Sequence, residues 1–243
     1  YRVRELVRSP QGLGTTKNKV EQFAGDILDP DSLKRACSGV RVVVHAAGIA
    51  HVSNVNENRL HSVNVLGTKL TVSAALDSGV ERFILISSVL ADSSKDGLEQ
   101  STNYAQSKRS AEEVALSENK SGRFEVVILR PANVYGIGMQ GNIAMLMSMI
   151  KRGFSLPIPV LDSKVSLVGV RDLSEAVVLS IEASQAAGRT YVVTDGLEYN
   201  ISQIEDQIYR AAKKEKSPVK VPGLILYIGL FGAELINKGL TVF

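Results

Sequence analysis

Short runs rich in β-branched residues alternate with longer stretches of helical periodicity along most of this chain, and that alternation restricts the fold more than any single motif. Strands are expected at residues 3–7, 20–25, 40–47, 82–88, 124–130, 165–170 and 190–194, with helices near 30–38, 56–78, 103–119, 141–152, 172–184 and 201–214. The runs VVVHAA and FILIS are almost continuously apolar, which suits strands covered on both faces, the condition of a parallel sheet with helical crossovers. The expected fold class is α/β, with a doubly wound parallel sheet.

In such sheets ligands gather beyond the carboxyl ends of the strands. Three expected strand ends carry small or polar residues: His45-Ala46-Ala47-Gly48, Ser87-Ser88 and Arg130-Pro131-Ala132-Asn133. Past residue 133 the elements shorten and Pro and Gly become more frequent, as in RGFSLPIPVLD, so a smaller substrate lobe is expected over 136–243. The main domain is expected over 1–135, with 165–195 partly returning to it.

Composition narrows the function classes. The 28 basic residues are interspersed with 25 acidic ones and the net charge is only +3, so no block of like charge marks a nucleic-acid groove. The run Lys213, Lys214, Glu215, Lys216 is expected to end a solvated helix. Cys37 is the single cysteine, expected in the core; it favours a reducing, cytoplasmic setting. The most apolar segment, VPGLILYIGLFGAEL at 221–235, is shorter than the roughly 20 apolar residues of a spanning helix, so no membrane span is expected. His45, His51 and His61 show no ligand spacing and no acidic or cysteine companions, and no metal is expected.

The chemistry-bearing stretch is YAQSK, where Tyr104 and Lys108 stand four apart at the start of an expected helix and share one face. A tyrosine ordinarily titrates near 10, and an adjacent ammonium favours phenolate, which would bring it towards use as a base. Spacing of this kind also arises by chance. Ser87 and Ser88 could simply form the turn at a strand end, Asn64 could cap or pack its helix, and Asn133 could be a loop hydrogen-bonder. Asn142 follows a glycine at the head of NIAMLMSMIKRG, where an N-cap is its simplest role.

Taken in order, GDILDPDSL (25–33), HAAG (45–48), NVLGT (64–68), ISSV (86–89), YAQSK (104–108) and LRPANVYG (129–136) resemble the extended short-chain dehydrogenase/reductases, the NAD-dependent epimerase/dehydratase group with a Rossmann-like domain. The resemblance implies a nucleotide-sugar 4-epimerase or 4-ketoreductase acting on a UDP-hexose or its N-acetyl derivative through NAD or NADP. It implies Ser88, Tyr104 and Lys108 as the catalytic triad, with Tyr104 as acid and base, Ser88 holding the reacting oxygen, and Lys108 also holding the nicotinamide ribose. It further implies cofactor contacts from Arg8, Asp26, Ile27, His45, Ala46, Ala47, Gly48, Asn64 and Pro131. Substrate contacts are implied from Asn133 and Asn142, with Ser88, and from Lys164 or Arg171 in place of the arginine that opens the later strand in relatives. A homodimer is the expected assembly.

Several positions depart from that family's pattern. The chain starts at what resembles the family's second strand, so the first strand and glycine-rich loop are expected to be lacking; QGLG at 11–14 is expected as a plain loop. A fragment of a longer protein, also ending early at KGLTVF, is therefore expected, with weak dinucleotide binding in isolation. Val89 and Leu90 stand where the family's dehydratases carry Asp-Glu, which argues against dehydration. Arg8 at the end of the second strand tilts cofactor choice towards NADP. A steroid- or flavonoid-type ketone reductase, or a dinucleotide-sensing protein without activity, are the competing readings.

Overall fold

The computed structural model describes residues 1–9, 20–50, 56–92, 94, 102–120, 122–153 and 164–215. The expectations on QGLG, His51, most of RGFSLPIPVLD, Lys216, the apolar segment 221–235 and KGLTVF lie outside the described residues. The chain divides into two compact units, one of residues 1–132 and 168–194, the other of 133–167 and 195–243.

The first unit is built on parallel strands. Strands β1 (Val3–Val7) and β2 (Val20–Ala24) pair in parallel as a two-stranded sheet. Strands β3 (Val42–His45), β4 (Arg82–Ile86), β5 (Glu125–Pro131) and β8 (Thr190–Val193) form a four-stranded parallel sheet in the order β3-β4-β5-β8. Among the described residues no strand joins β1 to β3, in keeping with the expected doubly wound sheet that lacks its first strand.

Alternation along β4 and β5 explains their unbroken apolar sequence. Phe83 and Leu85 of β4, with Val126 and Ile128 of β5, face a core completed by α1 (Pro30–Cys37), α3 (Gly67–Asp77) and α4 (Asn103–Ser117). Ile84, Val127 and Leu129 face the other way, against Ala176, Val177 and Ile181 of α6 (Val170–Glu182). Cys37 lies in the first of these cores, and burial pushes its thiol pKa up. Helix α1 begins where its sequence says: Asp29 caps it from its side chain and Pro30 takes the first turn, where its missing N–H costs nothing.

Arg82 fastens α6 to the sheet. Its Nη1 donates to the carbonyls of Ser180, Ile181 and Ala183 at 2.8, 2.9 and 3.0 Å, satisfying orphan acceptors at the end of the helix, while its Nε donates to Glu125 at 3.1 Å.

In the second unit, β6 (Asn133–Tyr135), β7 (Lys164–Gly169) and β9 (Glu198–Asn200) form a three-stranded sheet, with β7 antiparallel to β9. The strand expected at 165–170 therefore pairs outside the parallel sheet, and only α6 and β8 of the stretch 165–195 join the first unit's layers. Helices α5 (Asn142–Lys151) and α7 (Ile201–Ala212) bury Leu146, Ile150, Ile204, Ile208 and Tyr209 against each other. Helix α7 opens with a capping box in which Asn200 and Gln203 each bond the other's backbone N–H. No described helix is long and apolar enough to cross a membrane.

Candidate active site

The carboxyl ends of β3, β4 and β5 lie side by side, since His45 pairs with Leu85 and Ile86 pairs with Leu129. Ser87 and Ser88 follow β4 directly. Helix α4 starts behind Thr102, whose hydroxyl accepts from the Ala105 N–H at 3.2 Å, so Tyr104 falls in its first turn and Lys108 one turn on.

Three consecutive residues after the core of β4 then meet three residues spaced by four along α4. The Lys108 ammonium donates to the Ile86 carbonyl at 2.7 Å. The Ser87 hydroxyl donates to the Glu112 carboxylate. Ser88 and the Tyr104 hydroxyl are hydrogen-bonded, with the Ser88 oxygen also accepting from the Leu90 N–H at 3.2 Å. Helical spacing of i, i+4 and i+8 sets Tyr104, Lys108 and Glu112 on one face. That face is fixed along its length to the strand end.

Electrostatics at the site follow burial. Lys108 is only 7% exposed, and burial lowers its pKa to about 8, opposed by the carboxylate of Glu112. Tyr104 departs from the expected direction: burial raises its pKa above the ordinary 10, and the Ser88 hydrogen bond works against that rise. The Lys108 ammonium is directed at the Ile86 carbonyl, so the phenol does not gain the cation's help that spacing alone implied. Tyr104 is consequently neutral at neutral pH.

A second set of bonds holds the loop after β3. His45 is 4% exposed, with its ring 5.8 Å from that of Phe83. Thr68 donates its hydroxyl proton to the Asn64 carbonyl at 2.6 Å, so it accepts from His45 Nε2–H at 3.1 Å, and this fixes the tautomer. Burial, with Lys108 adding to it, lowers the His45 pKa to about 4, so the imidazole is neutral.

Asn64 sits in a π-helical turn, His61–Leu66, where Gly67 N–H bonds the Ser62 carbonyl; the expected continuous helix 56–78 is thus α2 (Glu57–Leu60), this wider turn and α3. Its amide accepts from Ile49 N–H at 2.7 Å and donates to the Ile49 carbonyl at 3.1 Å and to Ser107 Oγ at 2.9 Å. Both amide protons are thus engaged, and Asn64 holds the loop and α4 together. Gly48 belongs here for lack of room: a Cβ on it would meet Asn64 Oδ1 at 3.2 Å and Lys108 Nζ at 3.9 Å. The loop therefore passes directly over the lysine.

Other expected residues are placed as follows. Arg8 is exposed just past the end of β1. Asp26 accepts from the Leu28 N–H at 2.9 Å, tightening the turn after β2, and Ile27 packs where a Cβ on Gly67 would stand. Ala46 and Ala47 are exposed and Pro131 is buried at the end of β5. Arg171 is exposed in the first turn of α6.

In the second unit Asn133 donates to the Ser166 carbonyl at 3.3 Å, and Lys164 pairs with Glu198 at 3.5 Å, both lysine and glutamate largely exposed. Helix α5 is capped by Gly141 with φ 90°, not by Asn142, because only glycine takes that backbone angle without strain. The Asn142 side chain lies outside the described residues. Among the described residues no side chain caps α5, whose first N–H groups suit an anion. An open cavity of about 770 Å³ is lined by Tyr135, Ile137, Met147, Lys151 and Arg152. Its two cations stand at the end of α5, where they already complement the helix dipole.

The sequence assigned no role to Glu112, and noted Arg130 only as one of the residues at the end of an expected strand. The signal for Glu112 was present, since it lies four residues beyond Lys108 on the face that carries Tyr104.

The profile of the 3-beta hydroxysteroid dehydrogenase/isomerase family matches residues 2–212. A UDP-glucose 4-epimerase from Vibrio cholerae is 32% identical over 234 residues, spanning 89% of this chain and 71% of that protein. Among solved structures, UDP-glucose 4-epimerase from Thermotoga maritima with UDP-glucose superposes with a TM-score of 0.75 at 21% identity, over 91% of this chain and 78% of that one. MoeE5 in complex with UDP-glucose and NAD superposes with a TM-score of 0.75 at 20% identity, over 91% and 79%. These structural likenesses concern the fold.

Proposed function

The chain belongs to the 3-beta hydroxysteroid dehydrogenase/isomerase family, and from that membership we propose that it serves a nucleotide-sugar 4-epimerase or 4-ketoreductase working on a UDP-hexose through hydride transfer at C4. The observation that carries this reading is the fixed face of α4, with Tyr104 on Ser88 and Lys108 beside it, in a chain 32% identical to a UDP-glucose 4-epimerase.

The chemistry asks for a group that donates a proton to the sugar oxygen as a ketone is reduced and recovers it as an alcohol is oxidised. The Ser88 contact of its hydroxyl supports Tyr104 for that exchange. Ser88 shares a hydrogen bond with it and has the reach to hold the same sugar oxygen. Since an isolated Tyr104 favours its neutral form, the direction it serves unaided is protonation of an oxyanion, and taking a proton needs additional positive charge nearby.

NAD, the cofactor in the MoeE5 complex, supplies the hydride acceptor and donor. The buried Lys108 ammonium fits a ribose: of its three N–H groups one goes to Ile86, and the loop at Gly48 lies over it. Exposed Arg8 is the residue that would favour NADP. In the second unit, the N-terminus of α5, with no side-chain cap among the described residues, suits a diphosphate. A homodimer and a cytoplasmic setting complete the proposal.

The test is incubation with UDP-glucose and either NAD or NADP, following UDP-galactose by chromatography. Conversion lost in Tyr104→Phe supports the assignment, and full conversion by that variant removes it. The family description also fits a steroid ketone reductase. Oxidation of a 3-hydroxysteroid, with no change in UDP-glucose, would establish that second reading.

A further inference from the structure

Glu112 is 4% exposed, a depth at which a carboxylate is retained only when it is paired and hydrogen-bonded. Arg130 of β5 meets it as a fork, with Nε 3.0 Å from Oε1 and Nη2 2.7 Å from Oε2. The same guanidinium reaches Asp92 through Nη1 at 3.6 Å, and Asp92 ends the 3-10 turn Val89–Ala91 that follows Ser88. Arg109 of α4 adds a bond from Nε to the Ala91 carbonyl at 3.2 Å. Three segments of the site are thus tied through one buried ion pair: the strand end through Ser87, the turn after Ser88 through Asp92, and α4 through Glu112 itself.

Glu112 itself does not reach a substrate held at Tyr104, because it lies two helical turns away, about 12 Å along the axis. Its effect on the site is geometric. Ser88 stands between two points that the pair controls, Ser87 before it and Asp92 after it, while Tyr104 rides on the helix that Glu112 anchors.

Resting on the function proposed above, we propose that Glu112, clamped by Arg130, is a positioning residue that sets the Ser88–Tyr104 distance by holding the α4 face against the end of β4. The inference deepens that reading by naming what keeps its two reacting hydroxyls in register.

The experiment labels the protein with 3-fluorotyrosine, assigns the Tyr104 fluorine resonance by its loss in Tyr104→Phe, and records its position when Ser88→Ala removes the hydrogen bond. Glu112→Gln keeps the shape but turns an amide towards the arginine donors, so the fork cannot form. Its Tyr104 resonance is expected to move towards the Ser88→Ala position, and kcat for UDP-glucose to fall by about 10- to 100-fold with KM changed less than about twofold. A resonance that stays at the wild-type position in a folded variant overturns the proposal, whatever its melting temperature. If Glu112→Gln does not fold, Arg130→Lys, which keeps the charge and loses the fork, is read in the same way. The fluorine measurement needs no turnover, so a wild-type chain that leaves UDP-glucose unchanged would remove the epimerase reading and leave this test standing.

Discussion

Lys108 delivers its ammonium to the Ile86 carbonyl at 2.7 Å from a position that is 7% exposed, so a charge is stored in the interior with a single neutral acceptor among the contacts described. Burial accordingly holds its pKa at about 8 against an unfolded value of 10.5. Between those values the unfolded chain binds a proton that the folded chain has released, so stability rises as pH increases from about 8 to 10.5. A shift of this size corresponds to roughly 3 kcal/mol. The comparison that isolates it is urea unfolding of wild type and Lys108→Met at pH 7.5 and pH 10: wild type gains relative to the variant across that interval. Parallel pH profiles for the two would show that the lysine is not held in this way.

His45 gives the complementary acid-side behaviour. Its folded pKa of about 4 lies below the unfolded 6.5, so on acidification the unfolded chain takes up a proton first. Stability contributed by the neutral ring is full above pH 6.5 and declines as pH falls towards 4, by roughly 3 kcal/mol in total. His45→Gln retains an N–H for Thr68 and has nothing to titrate. The variant is expected to lose less stability than wild type between pH 7 and pH 4.5 in thermal melts, and an equal loss would contradict the assignment.

The regular elements of the parallel sheet were legible because their periodicity is strong. Phe83 and Leu85 face one core, Ile84 the other, and an unbroken apolar strand has few other uses. The strands Asn133–Tyr135 and Glu198–Asn200 were not legible, since three residues carry no period and the pairing that makes them strands is tertiary. The same holds for the π-helical turn at Asn64, whose extra residue is stabilised by bonds to Ile49 and Ser107 from distant sequence. At the site, sequence placed Tyr104 and Lys108 on one face but not the direction of the ammonium. That direction depends on Ile86, and with it went the expected sign of the tyrosine shift.

Gly25 tests how closely β2 is joined to α1. A Cβ there would lie 2.6 Å from Ser32 Cβ and 2.7 Å from Leu6 Cδ1, and Ser32 cannot retreat because its hydroxyl bonds the Asp26 and Asp29 carbonyls at 3.0 and 2.9 Å. Gly25→Ala is therefore expected to destabilise by about 2 kcal/mol, through overpacking and not through backbone strain. Ser32→Gly removes the Ser32 part of the collision, so Gly25→Ala should cost less in a Ser32→Gly background than in wild type, read by urea titration of all four proteins. An equal cost in both backgrounds would show that close approach to Ser32 is not the reason for this glycine.

Arg82 supports α6 more than it supports its ion pair. Truncation to methionine leaves the Ser180, Ile181 and Ala183 carbonyls without the donor that reaches all three, and leaves Glu125 without its partner. The Glu125 side chain is 24% exposed and can turn to water, whereas the Ser180 carbonyl is buried and those of Ile181 and Ala183 are part-buried, so the larger part of the loss falls on the carbonyls. Arg82→Met is expected to cost about 3 kcal/mol. The second change Glu125→Gln should restore less than half of it, because it removes an unpaired charge and supplies no donor to the helix. Hydrogen exchange gives the spatial readout: amides in the last turn of α6 should lose protection in Arg82→Met and remain unprotected in the double variant. Full recovery of stability by the double variant would assign the cost to the ion pair instead.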